Sequence, residues 1–166
     1  MGALKFPHSG RVRLLAAASV GLVLALAAPT ASAELGGNCE SVLHDQAEMH
    51  ATLTTEEHPA YTTYILDMPD GTQVREYFSL RSGVFAIGWT NGHPNMRLVL
   101  GVYYDRLVQA MEARYAPGAP HHGRNNPIRY DDPDFVYFAQ VAISRFTGRA
   151  YLPQAVPQGV DIADVR

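Results

Sequence analysis

Three neighbouring segments of the sequence, separated by short glycine turns, most restrict what this chain can fold into. Residues 61–68, 72–80 and 84–89 are rich in β-branched and aromatic side chains, the residue types that favour strands. The intervening segments 69–71 and 81–83 each end in glycine, and short turns of that composition join antiparallel strands. The pattern therefore predicts a three-stranded antiparallel meander.

Alternation within these strands predicts which side chains share a face of the sheet. Successive residues point to opposite sides, which places the larger apolar side chains together: Tyr64, Leu66, Met68, Val74, Phe78, Leu80, Phe85, Ile87 and Trp89. Glu76 falls on the same side, between Val74 and Phe78. An acid there must be paired, exposed through a bulge, or functional. We expect it to pair with Arg75 or Arg149 rather than to act as a catalytic acid.

Two segments carry helical signals, each preceded by an asparagine that can cap the first turn. Asn38 precedes a loose apolar stripe that predicts a helix over residues 39–52. Asn95 precedes apolar residues at three- and four-residue spacing, which predict a helix over residues 96–114. Gly101 lies inside the second helix, where it costs about 1 kcal/mol relative to Ala unless a close backbone contact needs it. We expect that contact to be with the sheet.

The rest of the chain completes the predicted fold. Residues 135–140 and 143–152 predict two more strands, and residues 160–165 predict a short helical turn. A meander with one apolar face needs another element packed against that face, and the long helix can supply it. The sequence therefore predicts an α+β domain in which helices pack on one face of an antiparallel sheet, formed by the meander and the two C-terminal strands.

The first 33 residues have the organisation of a cleavable secretory signal peptide. Three basic residues and no acid precede residues 14–28, an apolar run of about 15 residues where a membrane-spanning helix needs roughly 20. Ala31-Ser32-Ala33 supplies the small residues that signal peptidase requires, which predicts cleavage after Ala33. We expect a mature domain of residues 34–166 without a transmembrane segment, located in the periplasm or in the external medium.

Loss of this leader makes the predicted mature domain acidic. It removes Lys5, Arg11 and Arg13 and no acid, which leaves 10 arginines against 16 acidic residues and changes the formal net charge from −3 to −6. Such a chain gives no sign of the basic patch that binds nucleic acid or anionic lipid, and neither is expected as a partner. Cys39 is the one cysteine, so no disulfide can form within the domain. We expect its thiol to be buried as a small apolar group rather than paired between chains.

Catalytic and metal-binding motifs are missing from the sequence. It contains no motif for nucleophilic catalysis, phosphate binding or dinucleotide binding, and we expect no cofactor. His44 and His50 are spaced to lie on different sides of a helix, and the histidine pair at 121–122 lies in a polar loop. The acidic residues at 131–134 offer oxygen atoms that suit calcium, but Pro133 interrupts them. The sequence therefore predicts no metal site.

The candidate binding residues are aromatic and charged side chains of the strands. Trp89 with Tyr61, Tyr64, Tyr77 and Tyr151 could form an aromatic surface for a peptide or saccharide, although aromatic residues in strands belong more often to a core. The candidate binding set, without any assigned catalytic residue, is Arg75, Glu76, Tyr77, Trp89, Arg149 and Tyr151.

Several motifs give the chain a family resemblance. In chain order they are Leu35-Gly36-Gly37, Val74-Arg75-Glu76-Tyr77, Pro94-Asn95 with Arg97, Leu100 and Gly101, and the longer segments Val84-Phe85-Ala86-Ile87-Gly88-Trp89 and Gly148-Arg149-Ala150-Tyr151-Leu152-Pro153. Together they resemble the domain of unknown function 2844 family, a group of exported proteobacterial proteins. The resemblance covers nearly the whole predicted mature chain and implies export and a shared fold, but no activity. Cys39 and the histidines at 121–122 depart from the family's usual pattern, so neither is expected to carry a shared function.

Three hypotheses for function follow from these observations. The first is a non-catalytic periplasmic binding or interaction module whose partner is an unknown envelope protein or small ligand. The second is a small periplasmic hydrolase or lyase that uses Glu76 with a histidine. The third is a structural or secreted component of the envelope. A cleft that brings Glu76 to an imidazole would favour the second.

Overall fold

The computed structural model describes residues 34–119, 126–142 and 145–166. The predicted signal peptide and the histidines at 121–122 lie outside the described residues.

The described residues form a seven-stranded antiparallel sheet, which together with the helices gives an α+β fold. Its spatial order is β1-β2-β3-β4-β7-β6-β5, and every neighbouring pair runs antiparallel. The strands are β1 (Thr52–Glu57), β2 (Thr62–Asp67), β3 (Gln73–Ser79), β4 (Gly83–Thr90), β5 (Ile128–Asp131), β6 (Val136–Ala142) and β7 (Arg145–Tyr151). The central strand β4 therefore joins the N-terminal and C-terminal halves of the sheet.

The predicted meander is confirmed, but the sheet is larger than predicted. Strands β2, β3 and β4 form the meander, and β6 and β7 correspond to the two predicted C-terminal strands. The prediction of five strands is wrong because β1 and β5 extend the sheet at its two edges. Almost every residue of β1 is exposed, so its sequence lacks the apolar alternation that marks a half-buried strand. Charged residues on such an edge oppose pairing with another chain.

Asparagines begin two of the helices, as the sequence predicts. The side-chain oxygen of Asn38 accepts hydrogen bonds from the backbone N–H groups of Glu40 and Ser41 at 2.9 and 3.0 Å, and this begins α1 (Cys39–Glu48). Asn95 caps α2 (Met96–Leu100) in the same way. The first helix ends at Glu48 rather than at residue 52, because the chain turns there and continues as β1.

The helix predicted over residues 96–114 is interrupted at Gly101. A 3₁₀ turn (Gly101–Tyr103) separates α2 from α3 (Tyr104–Arg114). Gly101 has a φ of 51°, in the left-handed region that glycine adopts without a Cβ clash. A Cβ at this position would overlap the side chain of Glu34, so the expected close contact is with the N-terminal segment and not with the sheet. None of the helices in the described ranges has the length and apolarity needed to cross a bilayer.

Two buried clusters use opposite faces of the sheet. The larger core cluster combines sheet residues with residues of the helices and the N-terminal segment, including Leu35, Val42, Met49, Leu66, Val74, Ile87, Trp89, Val99, Leu100 and Leu107. The smaller core cluster consists of Tyr77, Phe85, Ala86 and Val165, with residues of the C-terminal strap (residues 153–166) packed against it. Val74 and Tyr77 are three positions apart on β3 and so point to opposite faces. Buried residues therefore lie on both faces of the sheet.

An irregularity in the β3–β4 pairing changes the predicted faces. The register shifts between Tyr77 and Phe78, which leaves Phe85 as the extra residue of a bulge. Phe85 consequently belongs to the smaller core cluster and not beside Ile87 as predicted. Leu80 lies at the β3–β4 turn and is 99% exposed, so its predicted place on the apolar face is also wrong.

The thiol of Cys39 is exposed at the start of α1. The prediction that it is buried is wrong, because the inward side of this helix is formed by residues three to ten positions further along the chain, including Val42 and Met49. Cys39 therefore contributes no apolar packing to either core cluster.

Candidate functional site

A pair of acidic side chains lies inside the fold where α1 meets the sheet. Asp45 comes from α1 and Glu76 from β3, and their exposed fractions are 0% and 1%. Their carboxyl groups are within hydrogen-bonding reach of each other. No amide, hydroxyl or guanidinium group of the described residues donates to any of their four oxygens. Two ionised carboxylates cannot hydrogen-bond to each other, so one of the two must be protonated before it can donate to the other.

The electrostatics of the pair favour protonation. Burial is the main cause that raises the pKa of Asp45, and the neighbouring charges of Glu76, Glu34 and Glu48 raise it further. Burial also raises the pKa of Glu76, although the hydrogen bond with Asp45 opposes that change. An ionised carboxylate without solvent or donors is strongly disfavoured in a protein interior. The two groups titrate as one coupled system that holds at least one proton near neutral pH.

The nearest cationic candidate does not complete this pair. His44 Nδ1 lies 3.9 Å from Asp45 Oδ1, too far for a hydrogen bond, and the His44 side chain is 44% exposed. It can form an ion pair with Asp45 only when the imidazole is protonated. The pair therefore has no permanent counter-charge in the part of the chain that the structure describes.

The helical spacing of α1 explains why Asp45 is buried. Val42, Asp45 and Met49 follow each other at three and four positions and are all buried, as expected for one face of a helix. This spacing is visible in the sequence and could have placed Asp45 on the inward side. Strand alternation singled out Glu76 but not its partner.

The prediction that Glu76 pairs with an arginine is wrong. The guanidinium of Arg149 donates to the backbone carbonyls of Ile162 and Val165 at 3.0 and 3.3 Å. Arg75 neighbours Glu76 along β3 and therefore projects from the other face of the sheet. Alternation thus placed Glu76 correctly inside, but both arginines are on the side of the C-terminal strap.

An open cleft of about 1100 Å³ lies at one end of the sheet. It lies between the β1–β2 turn, the β3–β4 turn and the start of the C-terminal strap, and its aromatic side chains are Tyr61, Tyr64 and Phe78. Polar groups of Arg81 and Gln154 share this lining. The cleft therefore presents both aromatic side chains and hydrogen-bonding groups to a ligand.

A smaller depression of about 350 Å³ adjoins this cleft through His58 and Tyr61. Arg75 and Tyr77 line it, together with Glu56, Thr63 and Asp164. The imidazole of His58 stacks on the ring of Tyr61 with 4.3 Å between the ring centroids. The two depressions thus share an aromatic wall.

A family model described as "Protein of unknown function (DUF2844)" matches residues 31–165. The chain belongs to the DUF2844 family. The resemblance inferred from the sequence motifs is therefore confirmed. No curated protein and no solved structure matches the chain.

Two motif glycines of this DUF2844 domain stand where a side chain would collide with a neighbour. A Cβ on Gly88 would overlap the backbone of Arg166 in the C-terminal strap, and a Cβ on Gly148 would overlap the ring of Trp89. Glu76, in another motif, supplies half of the buried carboxyl pair. In this chain the motif residues thus determine how the sheet is covered.

The six candidate binding residues do not form one surface in the DUF2844 domain. Glu76 and Trp89 are buried on the face of the larger core cluster. The other four lie on the opposite side, where Tyr77 and Tyr151 pack in or against the smaller core cluster. The predicted aromatic surface is likewise divided, because Trp89 packs on Tyr137 and Phe146 rather than on the tyrosines of β2 and β3. Of the six, Arg75 and Tyr77 line the smaller depression.

Proposed function

We propose that this DUF2844 domain is an exported, non-catalytic interaction module of the bacterial envelope, and that its partner is a protein segment seated in the open cleft. In this proposal residues 1–33 are removed after Ala33, and residues 34–166 act in the periplasm or beyond it. We further infer that the helices lie together on the face of the sheet that carries Glu76.

The observation that carries the proposal is the cleft with Leu80 at its rim. Leu80 is 99% exposed, at a turn that also presents Arg81 and Ser82 to the cleft. A large apolar side chain held fully in water beside the aromatic residues of a cleft is suited to insertion into a partner. Polar lining from Gln154 and Arg81 offers hydrogen bonds to a peptide backbone.

The buried acids give the hydrolase or lyase hypothesis no support. Asp45 and Glu76 are sealed from solvent, so a substrate cannot reach their oxygens. Among the described residues no imidazole hydrogen-bonds to Glu76, whereas a general acid or base must be within reach of the proton that it transfers. We therefore assign the carboxyl pair to the fold and the cleft to binding.

A capture experiment with matched leucine variants tests the proposal. The mature domain, immobilised as wild type, Leu80→Ser and Leu43→Ser, is exposed to envelope extract, and bound proteins are quantified by mass spectrometry. Leu43 is 58% exposed on α1 and does not line the cleft, so it serves as the control. We expect a protein retained by wild type and Leu43→Ser to bind Leu80→Ser about tenfold less, a loss of about 1.4 kcal/mol.

Two outcomes would contradict the proposal. Equal retention by all three baits would show that the cleft is not the binding surface. N-terminal sequencing of the protein recovered from the periplasmic fraction must also give Glu34 as the first residue. Recovery of the chain from the cytoplasm with residues 1–33 intact would remove the export part of the proposal.

A further inference from the structure

Arg75 lies on the strap side of the sheet without an acceptor for its guanidinium group. It is one of four partly buried arginines among the described residues. The other three, Arg106, Arg114 and Arg149, each donate to a carboxylate or to a backbone carbonyl. Arg75 makes no hydrogen bond or ion pair with any described residue, although its Nε is buried. A buried donor without an acceptor is costly, so this guanidinium group is suited to an anion from outside the fold.

Two acidic side chains line the same depression as Arg75. Glu56 comes from β1 and Asp164 from the C-terminal strap. Both residues are exposed, and neither carboxylate has a hydrogen bond or an ion pair within the described part of the chain. The depression of about 350 Å³ therefore presents charges of both signs that do not pair with each other.

The register of the sheet places these charges on opposite sides of the depression. Glu56 pairs with Thr63 on β2, and Thr63 pairs with Tyr77 on β3. Arg75 lies two positions before Tyr77, so its side chain projects from the same face. Strands about 4.8 Å apart and a rise of about 3.4 Å per residue put the Cα atoms of Glu56 and Arg75 about 12 Å apart. A small molecule can lie between them, over Thr63 and Tyr77.

Asp164 is held at the strap side of this depression by hydrogen bonds of its neighbours. Arg149 donates to the carbonyls of Ile162 and Val165, which lie before and after Asp164 in the chain. The hydroxyl of Tyr77 lies 3.5 Å from the backbone carbonyl oxygen of Asp164. The Asp164 carboxylate is thus presented by a segment that the fold fixes in position.

We propose that the smaller depression binds a free α-amino acid in its zwitterionic form. The carboxylate of the amino acid accepts hydrogen bonds from the guanidinium group of Arg75, and its ammonium group donates to the carboxylates of Glu56 and Asp164. A ligand with a carboxylate alone is repelled by the two acids, and a ligand with an amine alone is repelled by Arg75. This site is separate from Leu80 and from the partner proposed for the cleft.

The wall that the depression shares with the cleft favours an aromatic side chain on the amino acid. His58 stacks on Tyr61, and the ring centroids of Tyr61 and Tyr77 are 5.9 Å apart. An aromatic ring placed against this wall loses apolar surface to the ligand site and gains ring contacts. L-Phenylalanine is therefore the probe for the proposed site.

An NMR titration with three related compounds tests the proposal. The ¹⁵N-labelled protein is purified after expression of the full chain and titrated with L-phenylalanine. We expect saturable shifts of the amide signals of Thr63, Tyr77 and Asp164 below about 10 mM ligand. Phenethylamine and 3-phenylpropanoate each keep the ring and one of the two charges, and both should bind at least about tenfold more weakly. Equally strong binding of either compound, or no saturable shift with L-phenylalanine, would overturn the proposal.

Matched variants assign each charge of the ligand to its residue. Arg75→Gln should weaken L-phenylalanine binding by about tenfold or more but should not weaken phenethylamine, which has no carboxylate. Asp164→Asn and Glu56→Gln, both at exposed positions, should weaken L-phenylalanine but not 3-phenylpropanoate. Arg145→Gln makes the same charge change as Arg75→Gln at an exposed residue of β7 outside both depressions, and it should bind like wild type.

The outcomes also separate this site from the cleft. Equal losses in Arg145→Gln and Arg75→Gln would assign the effect to net charge and would overturn the proposal. Leu80→Ser should bind L-phenylalanine like wild type, because Leu80 lines the cleft and not the smaller depression. Capture of a protein partner without any L-phenylalanine binding would contradict this inference alone, whereas L-phenylalanine binding without capture would contradict the proposed function alone.

Discussion

Two pairs of polar side chains on opposite sides of the sheet differ in the hydrogen-bond partners that they have. On the side of the smaller core cluster, Arg149 donates to two strap carbonyls, and the hydroxyl of Tyr77 accepts from the N–H of Arg166 at 3.1 Å. On the side of the larger core cluster, Asp45 and Glu76 have only each other. Hydrogen-bonded polar groups hold a segment in place, whereas a buried acid pair makes the free energy of unfolding depend on pH. The strap side is therefore expected to be structural, and the pair side sensitive to conditions.

The largest expected effect comes from the larger core cluster. Leu66 is fully buried there, and Leu66→Ala should cost about 2–5 kcal/mol of unfolding free energy, because it removes apolar contacts and leaves a cavity. The matched change Leu80→Ala, at a fully exposed leucine, should stay within about 0.5 kcal/mol. Urea denaturation of both variants measures the difference. Similar losses at the two sites would mean that the larger cluster does not carry the fold.

The second effect is the pH dependence of the acid pair. Burial raises the pKa of both Asp45 and Glu76, so the folded state binds more protons than the unfolded state above the ordinary values of 3.8 and 4.5. Stability is then fully present at lower pH and falls as the pH rises, by about 1.4 kcal/mol per unit for each proton involved. Asp45→Asn and Glu76→Gln should each make this fall shallower, as measured by urea denaturation from pH 4 to 8.

An exposed acid provides a control of opposite sign. The backbone N–H of Thr72 donates to Asp70 and is the main cause that lowers the pKa of its carboxyl group. The stabilisation of the folded state by Asp70 is therefore fully present above the ordinary pKa of an aspartate and is lost as the pH falls. Asp70→Asn should leave the decline at higher pH unchanged, and a flattening there would assign that decline to something other than the buried pair.

The smallest effect is expected from loss of the hydrogen bonds that hold the C-terminal strap. Arg149→Met keeps an apolar stem but removes the two bonds to the carbonyls of Ile162 and Val165, and it should cost about 1–2 kcal/mol. Because the loss is confined to the strap, hydrogen exchange should speed up in residues 153–166 while the slope against pH stays as in wild type. A changed slope would show that the two clusters are coupled.

The sequence predicts those elements whose signals are local. The glycine turns at 69–71 and 81–83 defined the meander, and two asparagine caps defined helix starts. Strand β1 was missed because an exposed edge strand has no apolar alternation, and its pairing with β2 decides its structure. Phe85 was placed on the wrong face because a bulge depends on how two strands pair, which the pattern of one strand does not contain.

One of the two buried acids of the candidate site was predicted from the sequence. Alternation on β3 correctly indicated that Glu76 points inward. Its partner was missed, because Asp45 lies on a helix 31 positions earlier in the numbering of the sequence, and their contact depends on how α1 packs. Helical spacing with Val42 and Met49 marks Asp45 as inward-facing, but only the assembled fold brings the two acids together.

The central strand β4 is the place where both ends of the described chain meet. Gly36 and Gly37 bond to Val84 at one end of this strand, and Gly88 packs against the backbone of Arg166 near the other. These contacts join residues that are far apart in the sequence, a topology that slows folding. A nascent chain delivered N-terminus first therefore cannot finish enclosing its central strand until residue 166 has emerged, so the order of synthesis places this contact after all seven strands of the described sheet.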